Sequence, residues 1–242
     1  MVRGGGSKRP LLVFDFVRIA VDAREGACPF RSGARCRESH TGHRFRPARR
    51  RQDGGRLHGK ERWEIKTLSD PQAGSVKLDP SQIKHISVKT LRTKQKPAGA
   101  STEQRISPVE TTVYEVEAAL IKARWVWDPR PGTPTKKKGD RDIHLVIAAP
   151  SDHDLTMIVE FPDPACVEAQ PALKKMMRDA RNAFLDCKGL QPSSDKPFHP
   201  LNGQATINGV GFFDRPHATG HAPHGIELHP VLFFSSSDCA AP

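Results

Sequence analysis

The 242-residue chain has no Cys-x-x-Cys pair, no Gly-x-Ser-x-Gly element, no Walker-type phosphate loop and no dinucleotide-binding glycine fingerprint. The sequence pattern therefore offers no zinc ribbon, no nucleophile elbow and none of the common nucleotide-binding loops. Long apolar runs are missing too. The stretch from Pro10 to Ala23 is interrupted by Asp15 and Arg18, whereas a signal-peptide core carries no charge and a spanning helix needs about 20 apolar residues. The expectation is a soluble chain with no membrane partner, cytoplasmic by default, or secreted if its true start lies elsewhere.

Net charge in the body is the next absence. The net charge is +11, yet residues 1–60 carry 13 Arg and 2 Lys against 5 acidic residues, and the other 182 residues carry 23 basic against 22 acidic. An argument from charge to nucleic acid thus applies to the first segment alone. From Gly26 to Gly59 there is little apolar periodicity, so the segment cannot repay the entropy of ordering. Residues 1–60 are expected to be a disordered Arg-rich extension. Two roles stay open: a basic arm for nucleic acid or anionic surfaces, or a stretch with no selected role upstream of the true start.

The five cysteines make an odd number. Cys28 and Cys36 lie in the extension, which leaves Cys166 and Cys187 as the expected candidate pair, worth about 3 kcal/mol of loop entropy. Their spacing resists it. A straight helix from Pro171 to Cys187 would be about 24 Å long, while five extended residues back to Cys166 reach about 17 Å. The bridge needs a shorter or bent helix.

Beyond the extension, residues 61–108 read as an ordered lead-in followed by a polar linker. Trp63, Ile65 and Leu68 are its anchors, short extended pieces and turns fill it to Leu91, and Lys94 to Ser107 is the linker. A folded domain is expected over 109–235, with a short tail at 236–242. Thr111 to Asp128 alternates as a long strand, Pro129 to Gly139 is a turn, and Arg141 to Ala148 and Leu155 to Phe161 form a hairpin around a polar tip. Pro171 to Cys187 places Leu173, Met176, Met177, Ala180, Phe184 and Cys187 on one helical stripe, with Pro171 suited to the first turn and Gly189 to the stop. Ala205 to Phe213 and Ile226 to Phe234 are two further strands.

The order is three strands, a helix, two strands. That is the order of an OB-fold, a five-stranded partly open barrel, and it is also the strand order of staphylococcal-type nucleases. The fold class expected is mainly β with one helix, OB-fold-like, with a small α+β sandwich as the alternative pairing of the same elements.

Several blocks resemble an uncharacterised family of bacterial proteins. They are Glu61-Arg62-Trp63 with Lys66-Thr67-Leu68-Ser69-Asp70, then Gly139 to Val146 (GDRDIHLV), Glu160-Phe161-Pro162, Gly209 to Asp214 (GVGFFD) and Gly225 to Leu232 (GIELHPVL). The resemblance runs from about Glu61 to Phe234 and implies one evolutionary unit, with the first 60 residues outside it. It implies no activity. In that family His217, Glu227 and His229 have counterparts, whereas the position of His221 is apolar and that of His224 is usually Asn. The resemblance thus makes those two histidines local to this chain. Gly220, Pro223 and Gly225 also deny the loop a helix that would align metal ligands one turn apart.

A smaller constellation carries the chemistry. Alternation puts Asp142 with His144 on one face and Glu227 with His229 on one face, while Ile143, Leu145, Ile226 and Leu228 turn to the core. If these strands are neighbours, they could join Glu160, Asp214 and His217 in binding a divalent metal, or act as general acid and base. The competing expectation is a solvated outer face with cross-strand ion pairs worth under about 1 kcal/mol each.

Three function classes follow. Binding of single-stranded nucleic acid or another polyanion would use Tyr114, Trp125 and Trp127 as stacking platforms and Lys136, Lys137 and Lys138 as phosphate contacts. Metal-dependent hydrolysis of the nuclease or phosphodiesterase type would use the acidic residues, with Asp140, Asp142, Glu160 and Arg141 supplying some of the residue types. The Asp-x-Pro-Glu turn of the nucleases is missing. A structural or protein-interaction domain is the third class.

Overall fold

The structure is a computed structural model that describes residues 62–126, 141–191, 197–215 and 219–239, all within the unit Gly55–Pro242. The expected extension of residues 1–60 therefore lies outside the described residues.

The lead-in is built from short turns. A single helical turn, α1 (Trp63–Lys66), buries Trp63, Ile65 and Lys66, and is followed by β1 (Lys84–His85) and α2 (Val88–Leu91). Ser87 caps α2 by accepting from the Thr90 backbone N–H at 3.1 Å, as an N-cap serine should. The anchors Trp63, Ile65 and Leu68 are buried as expected, although Trp63 and Ile65 sit on a helical turn rather than an extended piece.

The segment read as a polar linker is instead pinned at its C-terminal end. Arg105 is buried. It ion-pairs with Asp70 and donates to the backbone oxygens of Glu110 and Ile65 at 3.0 and 3.1 Å. Glu110 is also buried, and accepts two hydrogen bonds from the Arg62 guanidinium at 2.7 and 2.6 Å and one each from the backbone N–H groups of Ile106 and Phe213. Composition reads such a stretch as loop because the partners that neutralise its charges lie 35 and 48 residues away in sequence.

The remaining strands are β2 (Val113–Trp125), β3 (Ile143–Ala149), β4 (Asp152–Phe161), β5 (His199–Pro200), β6 (Gln204–Phe213) and β7 (Ile226–Ser236), with α3 (Pro171–Lys188) between β4 and β5. They form one sheet in the order β1-β2-β3-β4-β7-β6, and β6 returns to pair with β2. The ring closes because β2 is thirteen residues long and pairs with both β3 and β6, besides the two-residue strands β1 and β5. Val113 to Ala119 pair with β6, and Ala119 to Trp125 pair with β3, with an irregularity between Leu120 and Lys122 at the changeover. β4 and β7 meet in parallel at Val159 and Leu228. The protein is mainly β with few helices, and its strands form one continuous ring of pairings.

Inside the ring lies a continuous apolar core of Ile143, Leu145, Ile147, Val159, Phe161, Ile226, Leu228 and Phe234, among others. α3 closes it with Phe184, which stacks on Phe161 at 4.9 Å and meets Phe234 edge-on at 5.4 Å. The helix starts at Pro171 and stops at Gly189, whose φ of 61° suits a residue without Cβ. Gly211 permits a close approach of a different kind, since a Cβ there would lie 2.7 Å from the Val109 carbonyl oxygen and 2.8 Å from the Tyr114 ring.

The expected Cys166–Cys187 bridge is corrected. Cys187 is bonded to Cys239, with Cα atoms 5.3 Å apart, and Cys166 is a buried thiol. α3 runs on to Lys188, which carries Cys187 to the helix end far from Cys166, and the chain leaving β7 returns to that same end. Among the described residues no helix is long and apolar enough to cross a membrane.

Candidate metal centre

Strand alternation places the site. Ile143 and Leu145 face the core, so Asp142 and His144 face outward from the ring, and the same rule turns Glu227 and His229 outward beside Leu228. Register then assembles a row. Arg124 on β2 is opposite His144 on β3, and His144 is opposite Glu160 on β4. The parallel pairing of Val159 with Leu228 brings Glu160 beside Glu227 and His229, and Asp214 follows directly on β6.

This outer face is not solvated. Asp142, His144, Glu160, Glu227 and His229 are exposed by 2, 6, 1, 2 and 0 % respectively, so the expectation of an ordinary wet sheet face with weak ion pairs is corrected. The lead-in covers it. The Trp63 ring stands edge-on to His229 at 6.5 Å, Phe212 contacts the same imidazole at 6.1 Å, and Lys66 reaches in over the Phe212 ring at 5.2 Å.

Within this enclosure four carboxylates face one lysine and two imidazoles. Glu160 is central, with one oxygen 2.6 Å from His144 Nε2 and the other 2.8 Å from His229 Nδ1. Lys66 Nζ lies 2.7 Å from Asp214 Oδ2, 3.7 Å from Glu227 Oε1 and 3.8 Å from Glu160 Oε2. Asp142 accepts from the Asp163 backbone N–H at 3.3 Å. His229 Nε2 has no hydrogen-bond partner, and Asp142 Oδ2 is 3.8 Å from it. That distance is too long for a hydrogen bond.

Burial and charge compete at each group, and the outcome differs. Burial, reinforced by the neighbouring Glu160 charge, pushes the Glu227 carboxyl up to about 7. For His229 burial disfavours the charged form, but Glu160 and Glu227 outweigh it and raise the imidazole to about 9. Burial likewise opposes the charges of Glu160 and Lys66. Glu160 is nevertheless held well below the usual carboxylate range by His144, Lys66 and His229, and Lys66 well above the usual lysine range by Glu160, Glu227 and Asp214. Carboxylates whose environments pull them apart in this way are the raw material of acid–base and metal chemistry.

Among the described residues, two sets of side chains could hold a cation. Asp142, Glu160 and His229 form one, Glu160, Asp214 and Glu227 the other, each offering ligand atoms within 4.8 Å of one another. The first fits best, because the buried His229 nitrogen in it has no other partner. A mixed nitrogen and oxygen set suits manganese, zinc or iron. A cavity of about 570 Å³ reaches the cluster at Asp214 and is lined there by Arg62, Glu64, Lys96, Glu103 and Arg215.

Of the residues the sequence singled out for metal, Asp142, His144, Glu160, Asp214, Glu227 and His229 come together, and His217 lies outside the described residues. Lys66 was not among them. The sequence carries no signal for it, because the turn that brings it beside Trp63 is only four residues long. The stacking set fares differently. Tyr114 is only 2 % exposed, packed under Gly211 and the core, so it offers no face to a base. Trp125 is half-buried with the Arg181 guanidinium over its ring at 4.6 Å. Trp127, Lys136, Lys137 and Lys138 lie outside the described residues.

No family model matches the chain, and no curated protein matches it. Among solved structures, a putative aspartyl-tRNA synthetase from Leishmania major Friedlin is similar over 68% of this chain, with 12% sequence identity and a TM-score of 0.34. The chain spans 22% of the length of that protein.

Proposed function

We propose that this protein is an OB-like β-barrel that binds a divalent cation through Asp142, Glu160 and His229 and acts as a metal-dependent hydrolase of the phosphodiesterase class. One observation carries the reading. His229 Nε2 is fully buried without a hydrogen bond and faces a carboxylate at non-bonding distance, which is costly unless a ligand lies between them. The ring order, with the helix between the third and fourth long strands, supports the OB-like assignment.

When bound, the cation supplies a Lewis acid and a more acidic water. The chain's own groups do the rest. Glu160 would be a ligand through one oxygen, while its other oxygen, 2.6 Å from His144 Nε2, is held in place by that imidazole. Glu227, pushed up to about 7, can take up and return a proton near neutral pH. The cavity beside Asp214 is mixed in charge, lined by Arg62, Lys96 and Arg215 and by Glu64, Asp70 and Glu103. The test is a thermal melt of the metal-stripped protein with manganese, zinc, magnesium and calcium, followed by turnover of bis-p-nitrophenyl phosphate. A rise in melting temperature with manganese or zinc, lost in His229→Ala, is expected. A melt indifferent to every ion would remove the reading, and binding without turnover would reduce the cation to a structural role.

A second reading, binding of single-stranded nucleic acid or another polyanion, is favoured by one patch. Lys122 and Arg124 flank the half-buried Phe198 ring at 4.9 and 4.6 Å, and Lys122 and Arg124 are themselves only half-buried. A basic pair beside an aromatic face suits a nucleotide. Salt-sensitive retention of an oligonucleotide that weakens in Phe198→Ala supports it, and retention unchanged in that variant removes it.

A further inference from the structure

The second acidic set already contains a cation. Glu160, Asp214 and Glu227 surround Lys66 Nζ, and the same three carboxylates meet the spacing for a metal ion without it. The lysine side chain is 10 % exposed, and Glu227 Oε1, buried beside it, accepts no hydrogen bond. Only the Asp214 contact, at 2.7 Å, has hydrogen-bond length. Glu160 belongs to both sets. A carboxylate shared by two adjoining cation positions is the arrangement of two-metal hydrolytic sites, whose ions lie about 3.5–4 Å apart.

We infer that Lys66 occupies the second position of a two-position cation site, a tethered ammonium standing where a second divalent ion would bind, so that the protein takes one ion instead of two. The inference rests on the proposed cation site at Asp142, Glu160 and His229 for the first position, and on its own geometry for the second. Three buried carboxylates within ligand distance of one another repel, and must share a cation or protonate. Lys66 supplies that cation from α1, whose start is fixed by the Arg62 pair with Glu110. Seating the lead-in is thereby the step that completes the charge of the site. With the ammonium removed, the vacated position is lined by carboxylate oxygens alone, a set that selects hard ions such as manganese, magnesium or calcium.

The experiment counts manganese bound per chain in wild type, Lys66→Ala and Lys66→Arg, by equilibrium dialysis and by the electron paramagnetic resonance of the bound ions. The expected result is one ion in wild type and in Lys66→Arg, and two in Lys66→Ala, with the isolated six-line manganese signal replaced by the broadened spectrum of a coupled pair. An equal count in wild type and Lys66→Ala overturns the inference. No ion in wild type but one in Lys66→Ala would keep the inference and remove the proposed first site. Should Lys66→Ala be unfolded without metal, recovery of a cooperative melt on adding millimolar manganese supports the inference, and failure to recover contradicts it.

Discussion

Glu160→Gln is expected to weaken manganese binding by at least about 100-fold and to destabilise the metal-free protein by about 3–5 kcal/mol. Both effects come from its central place. Glu160 contacts His144, His229 and Lys66 at 2.6, 2.8 and 3.8 Å, so the amide leaves Lys66 and His229 buried with less counter-charge, and removing one partner of a buried ion pair costs about that much. The loss of affinity follows because the same carboxylate is shared by both ligand sets, and even residues one step removed from a metal cost about 10–100-fold. Denaturant melts and a manganese titration measure the two effects separately. A variant as stable as wild type would mean that the cluster is far less charged than its spacing implies.

The second large effect is with pH. His229 is raised from 6.5 to about 9 on folding, so the stability its charge contributes is complete below pH 6.5 and is lost as pH rises through about 9. Glu227, raised from 4.5 to about 7, acts in the same direction over a lower window, because ionising it in the folded protein is harder than in the unfolded chain. The metal-free protein should therefore lose on the order of 3 kcal/mol between pH 6.5 and 9. A bound cation reverses the trend, since it needs the imidazole deprotonated and competes with its proton. Chemical denaturation at pH 6.5, 7.5 and 8.5, with and without manganese under argon, should give diverging curves. Parallel curves would contradict the assignment of His229 as a ligand.

Much of this site could be read from period-two alternation. Asp142 with His144 and Glu227 with His229 were placed on one outward side of their strands, and the inward partners Ile143, Leu145, Ile226 and Leu228 are core residues. What alternation cannot say is whether an outward face is wet. That depended on Trp63 and Lys66, carried by a four-residue turn too short to give a helical period. The same gap hid Arg105 and Glu110, whose charges look like loop composition until Asp70 and Arg62 are found opposite them.

Tyr114 failed for a related reason. An aromatic on a strand is more often core or sheet-surface packing than an exposed platform, and here Gly211 and the turn at Val109 close over it. The Cys187–Cys239 bridge was missed because the tail after Phe234 gave no pattern by which to place Cys239.

The most direct measurement is anomalous diffraction from crystals of the full chain grown with manganese. The account predicts one peak per chain, within ligand distance of Asp142 Oδ2, Glu160 and His229 Nε2, with Lys66 still between Glu160, Asp214 and Glu227. Crystals that diffract well and show no peak there, with His229 Nε2 donating to Asp142 at ordinary hydrogen-bond length, would contradict it.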